Sequence, residues 1–462
     1  MLVTSRYVTL ARRVAQLSVI ASCLACGEKN DTVGPGSGGA AGGGGIGGAS
    51  GAPTGGTGGA AGCMDIHVIS DMLPKGALEF VPGSVGQMER ETLWRDEHGL
   101  HFAWNPWITD GSKGGEGTGL RLVISTFDAG TGDVIGHRVF PEFGLGSVVR
   151  SPNGIVCVGA GRLQGSTVTT GALLLDQKDP KVQTFVPIYS GTVSVPHVGW
   201  DGEAFALHFW GTTGLEVSRV SEAGDVLLPP VVFGQSYGFL PDLRLSTDAV
   251  SGVSFAVSGQ LEKVPWIAAH TRDGKPVPGT EAQGGRILPV QGDLGTATGV
   301  AFHTVRGVPG GALVAWSLAS GSPDAMVVVQ SIDASLAATG DVVLVKPTQY
   351  QGANEEKDWL TIQQEPEGWW VGASGPTFLE SVRKSTGGVV VENLSSYELM
   401  RSGEKIMDLR HLGSTRYGDE LWLGFEDETA GDSLGKVHTP YRIVRLLPGC
   451  VYPSMWDLAN QK

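Results

Sequence analysis

From about residue 64 onward, apolar and polar positions alternate in short runs, each bounded by Gly, Asp, Asn or Pro. A period of two puts successive side chains on opposite faces of an extended chain, so these runs predict strands. One unit recurs: a turn with glycine, an alternating strand, a polar loop and a further strand. It reads "EHGLHFAW" at 97–104, "PNGIVCVG" at 152–159, "DGEAFALHF" at 201–209 and "VSGVSFAVSG" at 250–259. It returns as "PGGALVAWS" at 309–317, "PEGWWVGAS" at 366–374 and "YGDELWLGF" at 417–425. The turn glycines are Gly99, Gly154, Gly202, Gly252, Gly311, Gly368 and Gly418, spaced by 55, 48, 50, 59, 57 and 50 residues. A third strand and an Asp/Gly turn follow most units, as in "LEVSRVSEAGDVLLP" at 215–229. Such turns suit hairpins because their central residues accept positive φ.

Repeats of about 50 residues with about four strands each predict an all-β fold, a single β-propeller with one blade per repeat. Seven turn glycines predict seven blades, over residues 63–462. The unit "GWDGEAFALHFW" at 199–210 resembles the loose propeller repeats of secreted bacterial proteins. It lacks the G-H and W-D signature, so the resemblance implies the architecture and not the eukaryotic repeat family. A β-helix would need a shorter period. A pair of sandwiches would need a break near residue 260, where the sequence shows no linker.

The first 62 residues follow another pattern. Residues 1–13, "MLVTSRYVTLARR", hold Arg6, Arg12 and Arg13 with no acid, and "VAQLSVIAS" at 14–22 is a short apolar run ending in small residues. That is the layout of an export signal over 1–22. The following "IASC" resembles the bacterial lipobox, with Cys23 as the acylated residue and Cys26 as second choice. A plain cleaved signal peptide is the alternative. A redox reading of C-L-A-C would need a helix N-terminus behind it. A zinc reading would need two more ligands at suitable spacing, and Cys63, Cys157 and Cys450 are single and far apart.

Residues 34–62 carry no charge and are more than half glycine. Such a chain cannot bury enough apolar area to offset its ordering entropy. Residues 23–62 therefore read as a disordered tether, with a reach of roughly 30 Å for the Gly-rich part. Lipobox and Gly-rich tract together resemble lipoproteins of Gram-negative bacteria, of the myxobacterial type. The resemblance implies export and a lipid-bilayer anchor through an acyl chain, at the outer membrane or cell surface.

Charge narrows the partners. With 33 basic against 47 acidic residues the formal net charge is −14. Nucleic acid is disfavoured, because phosphate binding needs a basic face that releases counterions. No apolar run reaches the roughly 20 residues that cross a bilayer. In an exported protein, Cys63 at the start of the body and Cys450 near its end are candidates for a disulfide stapling the first and last blades; free or separately paired thiols are the alternative. Cys157, inside "GIVCVGA", reads as a small buried hydrophobe.

Little in the chain carries recognisable chemistry. His98 and His101 in "DEHGLH" read as a solvated hairpin start and not as a metal pair. There is no H-E-x-x-H, no complete calcium loop and no G-x-S-x-G elbow, and "GAGRLQG" at 159–165 reads as a loop. No catalytic residue, metal or cofactor is assigned. Asp96, Asp201, Asp358 and Asp419 are turn-adjacent acids in four repeats, which a propeller could gather around its channel. Acids at hairpin turns usually serve the turn itself.

Trp94, Trp104, Trp200, Trp316, Trp370 and Trp422 read as core. Trp107 in "WNPW" and Trp359 in "EEKDW" are expected in loops, as candidate ligand-binding aromatics that stack on sugar rings or anchor a protein contact. The expected function is non-catalytic: a monomeric, membrane-anchored propeller that binds a polysaccharide, a peptide or another envelope protein. The alternatives are a carbohydrate-active hydrolase or lyase with channel carboxylates, and a scaffold with no small ligand.

Overall fold

The computed structural model describes residues 64–69, 93–104, 107–109, 117–120, 122–164, 167–177, 179, 181–190, 196–211, 214–235, 243–259, 264–280, 285–292, 294, 300–318, 326–345, 359–365, 368–375, 378–385, 388–395, 409–418, 420–427 and 441–446. All lie in the compact unit Gly62–Lys462. The signal, the tether and Cys23, Cys26, Cys63 and Cys450 lie outside the described residues, as do Asp358, Asp419 and the side chains of Trp104, Trp107 and Trp359.

Among the described residues there are strands and no helix. Strand β1 (Met64–Ile69) comes first in the chain and is placed last in the fold. The first four-stranded sheet holds β2 (Leu93–Asp96) and β3 (Gly99–Trp104). Between its second and third strands sits a two-stranded ribbon, β4 (Trp107–Thr109) with β5 (Gly117–Leu120). The sheet is completed by β6 (Leu122–Phe127) and β7 (Val134–Phe140).

The second sheet is β8 (Phe143–Arg150), β9 (Ile155–Gln164), β10 (Thr167–Asp176) and β11 (Gln183–Ser190). The third is β12 (His197–Trp200), β13 (Phe205–Trp210), β14 (Gly214–Val220) and β15 (Val226–Gln235). The fourth is β16 (Arg244–Thr247), β17 (Ser254–Ser258), β18 (Trp266–His270) and β19 (Arg286–Ile287).

The fifth is β20 (Val300–Val308), β21 (Gly311–Leu318), β22 (Met326–Asp333) and β23 (Val343–Val345). The sixth is β24 (Trp359–Glu365), β25 (Gly368–Gly375), β26 (Phe378–Ser385) and β27 (Gly388–Ser395). The seventh is β28 (Leu409–Tyr417), β29 (Glu420–Asp427) and β30 (Tyr441–Leu446), completed by β1. All pairings are antiparallel; β1 joins β30 with Met64 opposite Leu446.

The first strands of successive sheets lie side by side, from β2 through β8, β12, β16, β20 and β24 to β28, and β28 lies beside β2 again. Four-stranded meanders whose first strands close a cycle define a β-propeller. Its first strands are the inner ones. Each inner strand is a sheet edge with unpaired backbone groups on one side. Serine hydroxyls meet part of that need: Ser147 Oγ accepts from the Val198 amide at 2.6 Å, and Ser246 Oγ from the Gly307 amide at 2.9 Å. Glycine lets these strands approach closely, since a Cβ on Gly307 would stand 2.3 Å from the Thr247 backbone.

The core lies between sheets, and the period of two explains it. On β17, Phe255 and Val257 pack with Ala312, Val314 and Trp316 of β21. Ala256, between them, packs against Ala206, Val217 and Phe233 of the third sheet. On β21, Leu313 and Ala315 turn the other way, toward Ile362 and Trp369 of the sixth sheet. Second strands are thus buried on both faces, which is why they read as nearly unbroken apolar or small runs. Trp94, Trp316, Trp370 and Trp422 are buried as expected, while Trp200 is half-buried. Cys157 is fully buried, and burial pushes its thiol well up from its ordinary pKa.

Three expectations need correction. Trp107 and Trp359 lie in strands β4 and β24 instead of loops. Both begin runs of β-favouring residues, "WIT" and "WLTI", and strand pairing of those runs prevails over the polar residues before them. The third is His101, which is buried; Trp94 and His101 sit opposite each other across the β2–β3 pair, and their rings stack with centroids 5.0 Å apart. In the fifth sheet the left-handed turn residue is Gly310 (φ +86°), one before Gly311.

Candidate functional site at the inner strands

Each inner strand has two ends. One runs into the hairpin that joins it to the second strand; the other is its starting end. The hairpin end is built from buried acids. Asp96 is fully buried and accepts from the His98 amide (2.7 Å), His101 Nε2 (3.0 Å) and Gln177 Nε2. Burial alone would raise its pKa; these hydrogen bonds and the nearby His101 outweigh that and lower it to about 2. Asp201 accepts from the amides of Glu203 (3.0 Å) and Ala204 (2.8 Å) and from Arg219 Nε (2.6 Å). Asp248 accepts from the amides of Val250 (2.9 Å) and Ser251 (3.2 Å) and from Ser251 Oγ (2.6 Å).

Contacts at this end tie the first five sheets in sequence and the first sheet to the seventh. Gln177 of the second sheet reaches Asp96 of the first. Asn153 Nδ2 of the second donates to Glu222 of the third at 2.7 Å. Arg272 of the fourth donates to the Asp201 carbonyl at 2.8 and 3.0 Å and to Glu203 at 2.9 Å. The Gly310 amide of the fifth donates to Asp248 of the fourth at 2.9 Å. Arg95 stacks over the ring of Tyr417, 4.8 Å away, joining the first sheet to the seventh.

Between the third and fourth sheets lies a buried histidine pair. His208 Nε2 and His270 Nε2 are 2.8 Å apart, and both residues are 2% exposed. His270 Nδ1 donates to the Thr271 carbonyl at 2.9 Å, which leaves its Nε2 to accept and makes His208 Nε2 the donor. Burial holds both rings below their usual pKa: His270 falls to about 4 despite Thr271, Asp201 and Asp273, and His208 falls well below the ordinary value, with His270 and His197 adding to the effect. Both are neutral at neutral pH.

The inner strands as a whole carry positive charge, and four of their six arginines (95, 150, 306 and 416) stand at the hairpin end. The seven inner strands contain six arginines (95, 150, 244, 306, 410 and 416), no lysine and two acids, Asp96 and Glu365, a formal charge of +4 in a chain of −14. The second strands carry one arginine and three acids, a formal −2. Both inner acids are the last residues of their strands, at the hairpin end. Within the strands, Arg244, Arg410, His197, His303 and His411 lie toward the starting ends, and Glu142 directly precedes β8.

Three of these share a level on consecutive strands. A Cβ on Gly199 would stand 2.3 Å from Thr247 Oγ1, and Gly307 touches the Thr247 backbone, so β12, β16 and β20 are aligned at residues 199, 247 and 307. Three residues back, Arg244 lies level with residue 304 and next to the levels of His197 and His303. Arg244 pairs with Val257, and a Cβ on Gly259 would stand 3.0 Å from His303 Nδ1, so both residues adjoin the end of β17. Arg244 is half-buried, and burial lowers its guanidinium pKa to about 9. Among the described residues, no three His, Cys, Asp or Glu side chains are grouped to hold a metal ion.

Asp96 and Asp201, candidates for a catalytic carboxylate set, serve as turn caps. The arginines of the inner strands and the His208–His270 pair were not singled out by the sequence. The signal for the arginines was present: Arg95, Arg150 and Arg306 each fall just before a hairpin turn.

The sequence matches no protein-family model and no curated protein. Among solved structures, the chain is similar to the polysaccharide lyase Uly1, at 9% identity over 80% of this chain and 92% of that one, with a TM-score of 0.49. It is similar to an ulvan lyase of polysaccharide lyase family PL25, at 10% identity over 85% and 99%, with a TM-score of 0.48. It is also similar to the WD40 domain of coronin from Toxoplasma gondii, at 11% identity over 86% and 90%, with a TM-score of 0.43. The fold is defined by the strand order, and the site by its own residues.

Proposed function

We propose that this protein is a seven-bladed propeller that binds a ligand at the starting ends of its inner strands and does not hydrolyse it. One observation carries this reading. The described acids that could have formed a glycosidase pair are buried and spent on turn amides, Asp96 at 0% and Asp201 at 1% exposure. A hydrolase needs two carboxyl groups about 5–10 Å apart and open to substrate. The test is calorimetry of the full-length protein against a panel of neutral and charged glycans and peptides, with chromatography of the glycans afterwards. Binding with every glycan returned intact supports the reading. Saccharide products that carry a new reducing end without unsaturation would contradict it.

A second reading is a β-eliminating lyase. Elimination from a uronate needs a cation on the carboxylate and a base for the adjacent C–H proton, and it needs no carboxylate pair. Arg244, half-buried, is a cation of the kind required, whereas His303 on the neighbouring strand is 5% exposed and is held from substrate as Asp96 and Asp201 are. Unsaturated products in the same assay would select it.

The N-terminal segment supports a wider proposal of export and acyl anchoring at Cys23, which places the propeller at the outer membrane or cell surface. Loss of an incorporated palmitate analogue in Cys23→Ala, with retention in Cys26→Ala, is the expected result. Export also permits a Cys63–Cys450 disulfide: Cys63 precedes Met64 by one residue, Cys450 follows Leu446 by four, and Met64 and Leu446 are paired. Peptide mapping without reduction tests it.

A further inference from the structure

We propose that the His208–His270 pair is a proton-operated latch on the seam between the third and fourth sheets, which releases in mild acid while the other seams stay closed. The make-up of the seam is the first observation. Among the described residues, 16 buried apolar residues form the cluster between the fourth and fifth sheets, Phe255, Val314 and Trp316 among them. The cluster between the third and fourth holds six, and three of these are alanines, Ala206, Ala256 and Ala268. The face that the fourth sheet turns to the third carries buried Ser254, Ser258 and His270. Its other face carries Phe255, Val257, Ile267 and Ala269. Less apolar area is buried at this seam, and with it less of the hydrophobic gain that holds sheets together. Its polar centre is two titratable rings joined by one hydrogen bond.

That bond has room for one proton. His270 Nδ1 donates to the Thr271 carbonyl, so a second proton on His270 can go only to Nε2. There it would face the Nε2–H of His208 at 2.8 Å, and two donors would replace a donor and an acceptor. The surroundings do not offset that charge. Opposite His208 stand His197 of β12, itself titratable, and Val217 of β14. Glu216 lies on the other face of β14, and Arg219, on the near face, is held by Asp201 and Glu203. Phe233 of β15 packs on both rings, 6.0 and 4.4 Å away, and Ser254 of β17 stands opposite His270. Leu243 and Leu245, at the start of β16, add only apolar surface. Asp201 and Asp273 favour a proton on His270, but Asp201 is committed to Arg219 and its turn amides, and Asp273 to Thr271 and Lys275.

Burial accordingly holds His270 down to about 4 from its usual 6.5. A parted seam hydrates the rings and restores the usual value, so the open form binds protons first. The latch is fully closed above about pH 6.5 and weakens as pH falls toward about 4. From about pH 7 to about pH 5, His270 alone multiplies the open fraction about twentyfold. Arg272 ties the same two sheets at the hairpin end through the Asp201 carbonyl and Glu203, so the inner strands stay together.

The test uses the full-length protein with one cysteine added to a seam. Ala256→Cys reports on the seam of the histidine pair and Ala315→Cys on that between the fifth and sixth sheets, both alanines being buried. Modification by dithiodipyridine, which reacts in acid, is followed by mass spectrometry of the labelled peptide. Each rate is divided by that of an unfolded peptide carrying the same thiol. Lowering the pH from about 7 to about 5 should speed modification of Ala256→Cys about twentyfold and of Ala315→Cys by less than about twofold. Adding His270→Asn should abolish the acceleration. If Ala256→Cys does not fold, Ala268→Cys on the same face is read in its place; if His270→Asn does not fold, His208→Asn is. No acceleration at the seam of the pair, equal acceleration at both seams, or acceleration that survives His270→Asn would overturn the latch. The assay contains no ligand, so its outcome is independent of the binding reading.

Discussion

The two ends of the inner strands differ in composition and in what holds them. At the hairpin end, arginines and carboxylates occur together and are matched: Arg219 with Asp201, Arg272 with the Asp201 carbonyl and Glu203, Gln177 with Asp96. At the starting end, the described strand residues include Arg244, Arg410 and three histidines, and Glu142, just before β8, pairs with Arg162. Matched charge at a buried turn closes the ring. The opposite end is where the proposed ligand binds. Stability is thus written at one end of each inner strand and recognition at the other, and substitutions should separate them.

The largest effect on stability is expected at the hairpin end. Asp201→Ala leaves two turn amides and a largely buried guanidinium without their acceptor, which should cost about 3–5 kcal/mol in denaturant unfolding. Asp201→Asn retains an oxygen for the amides and should cost less, about 1–3 kcal/mol. Neither should alter glycan affinity in the folded protein.

Next in size is an acid sensitivity centred on the histidine pair. Both rings are held neutral in the fold, so the unfolded chain takes up protons first as pH falls. The stabilisation is complete above about pH 6.5, the unfolded value, and is lost as pH falls toward about 4, the folded value of His270. The expected loss is on the order of 3 kcal/mol across that window. Urea midpoints measured from pH 7 to 4 should fall accordingly, and His270→Asn should flatten the profile. A midpoint that rises on acidification would contradict this reading.

Smaller still is Ser246→Ala, which removes the hydroxyl that accepts from the Gly307 amide between β16 and β20. It should cost about 1–2 kcal/mol. Arg244→Gln removes a half-buried guanidinium at the proposed binding end and should weaken ligand binding, as calorimetry against the panel would show. Equal effects of Asp201→Ala and Arg244→Gln on both properties would erase the distinction between the two ends.

Much of the fold was legible in the chain. The apolar runs after each turn glycine marked the second strands, and the turn glycines marked the hairpins; Gly202, for example, holds φ +93° with the Ala249 carbonyl oxygen 2.0 Å from where a Cβ would stand. Other features were hidden because they depend on distant pairings. Met64–Ile69 completes the sheet formed by residues 409–446, a partnership that no local pattern encodes. His208 and His270 stand 62 residues apart on different sheets, so neither signals the other. His101 looked solvated because its neighbours Glu97 and His98 are exposed, yet strand pairing turns it onto Trp94 and Asp96. The arginines of the inner strands were visible singly, and their excess over acids emerges only when the seven first strands are read together.

The most direct test of recognition at the starting end is a crystal structure of the protein with a ligand drawn from the glycan and peptide panel. The expected electron density lies at the starting ends of the inner strands. Density for that ligand on the outer strands or against the hairpins, with the starting ends empty, would contradict it.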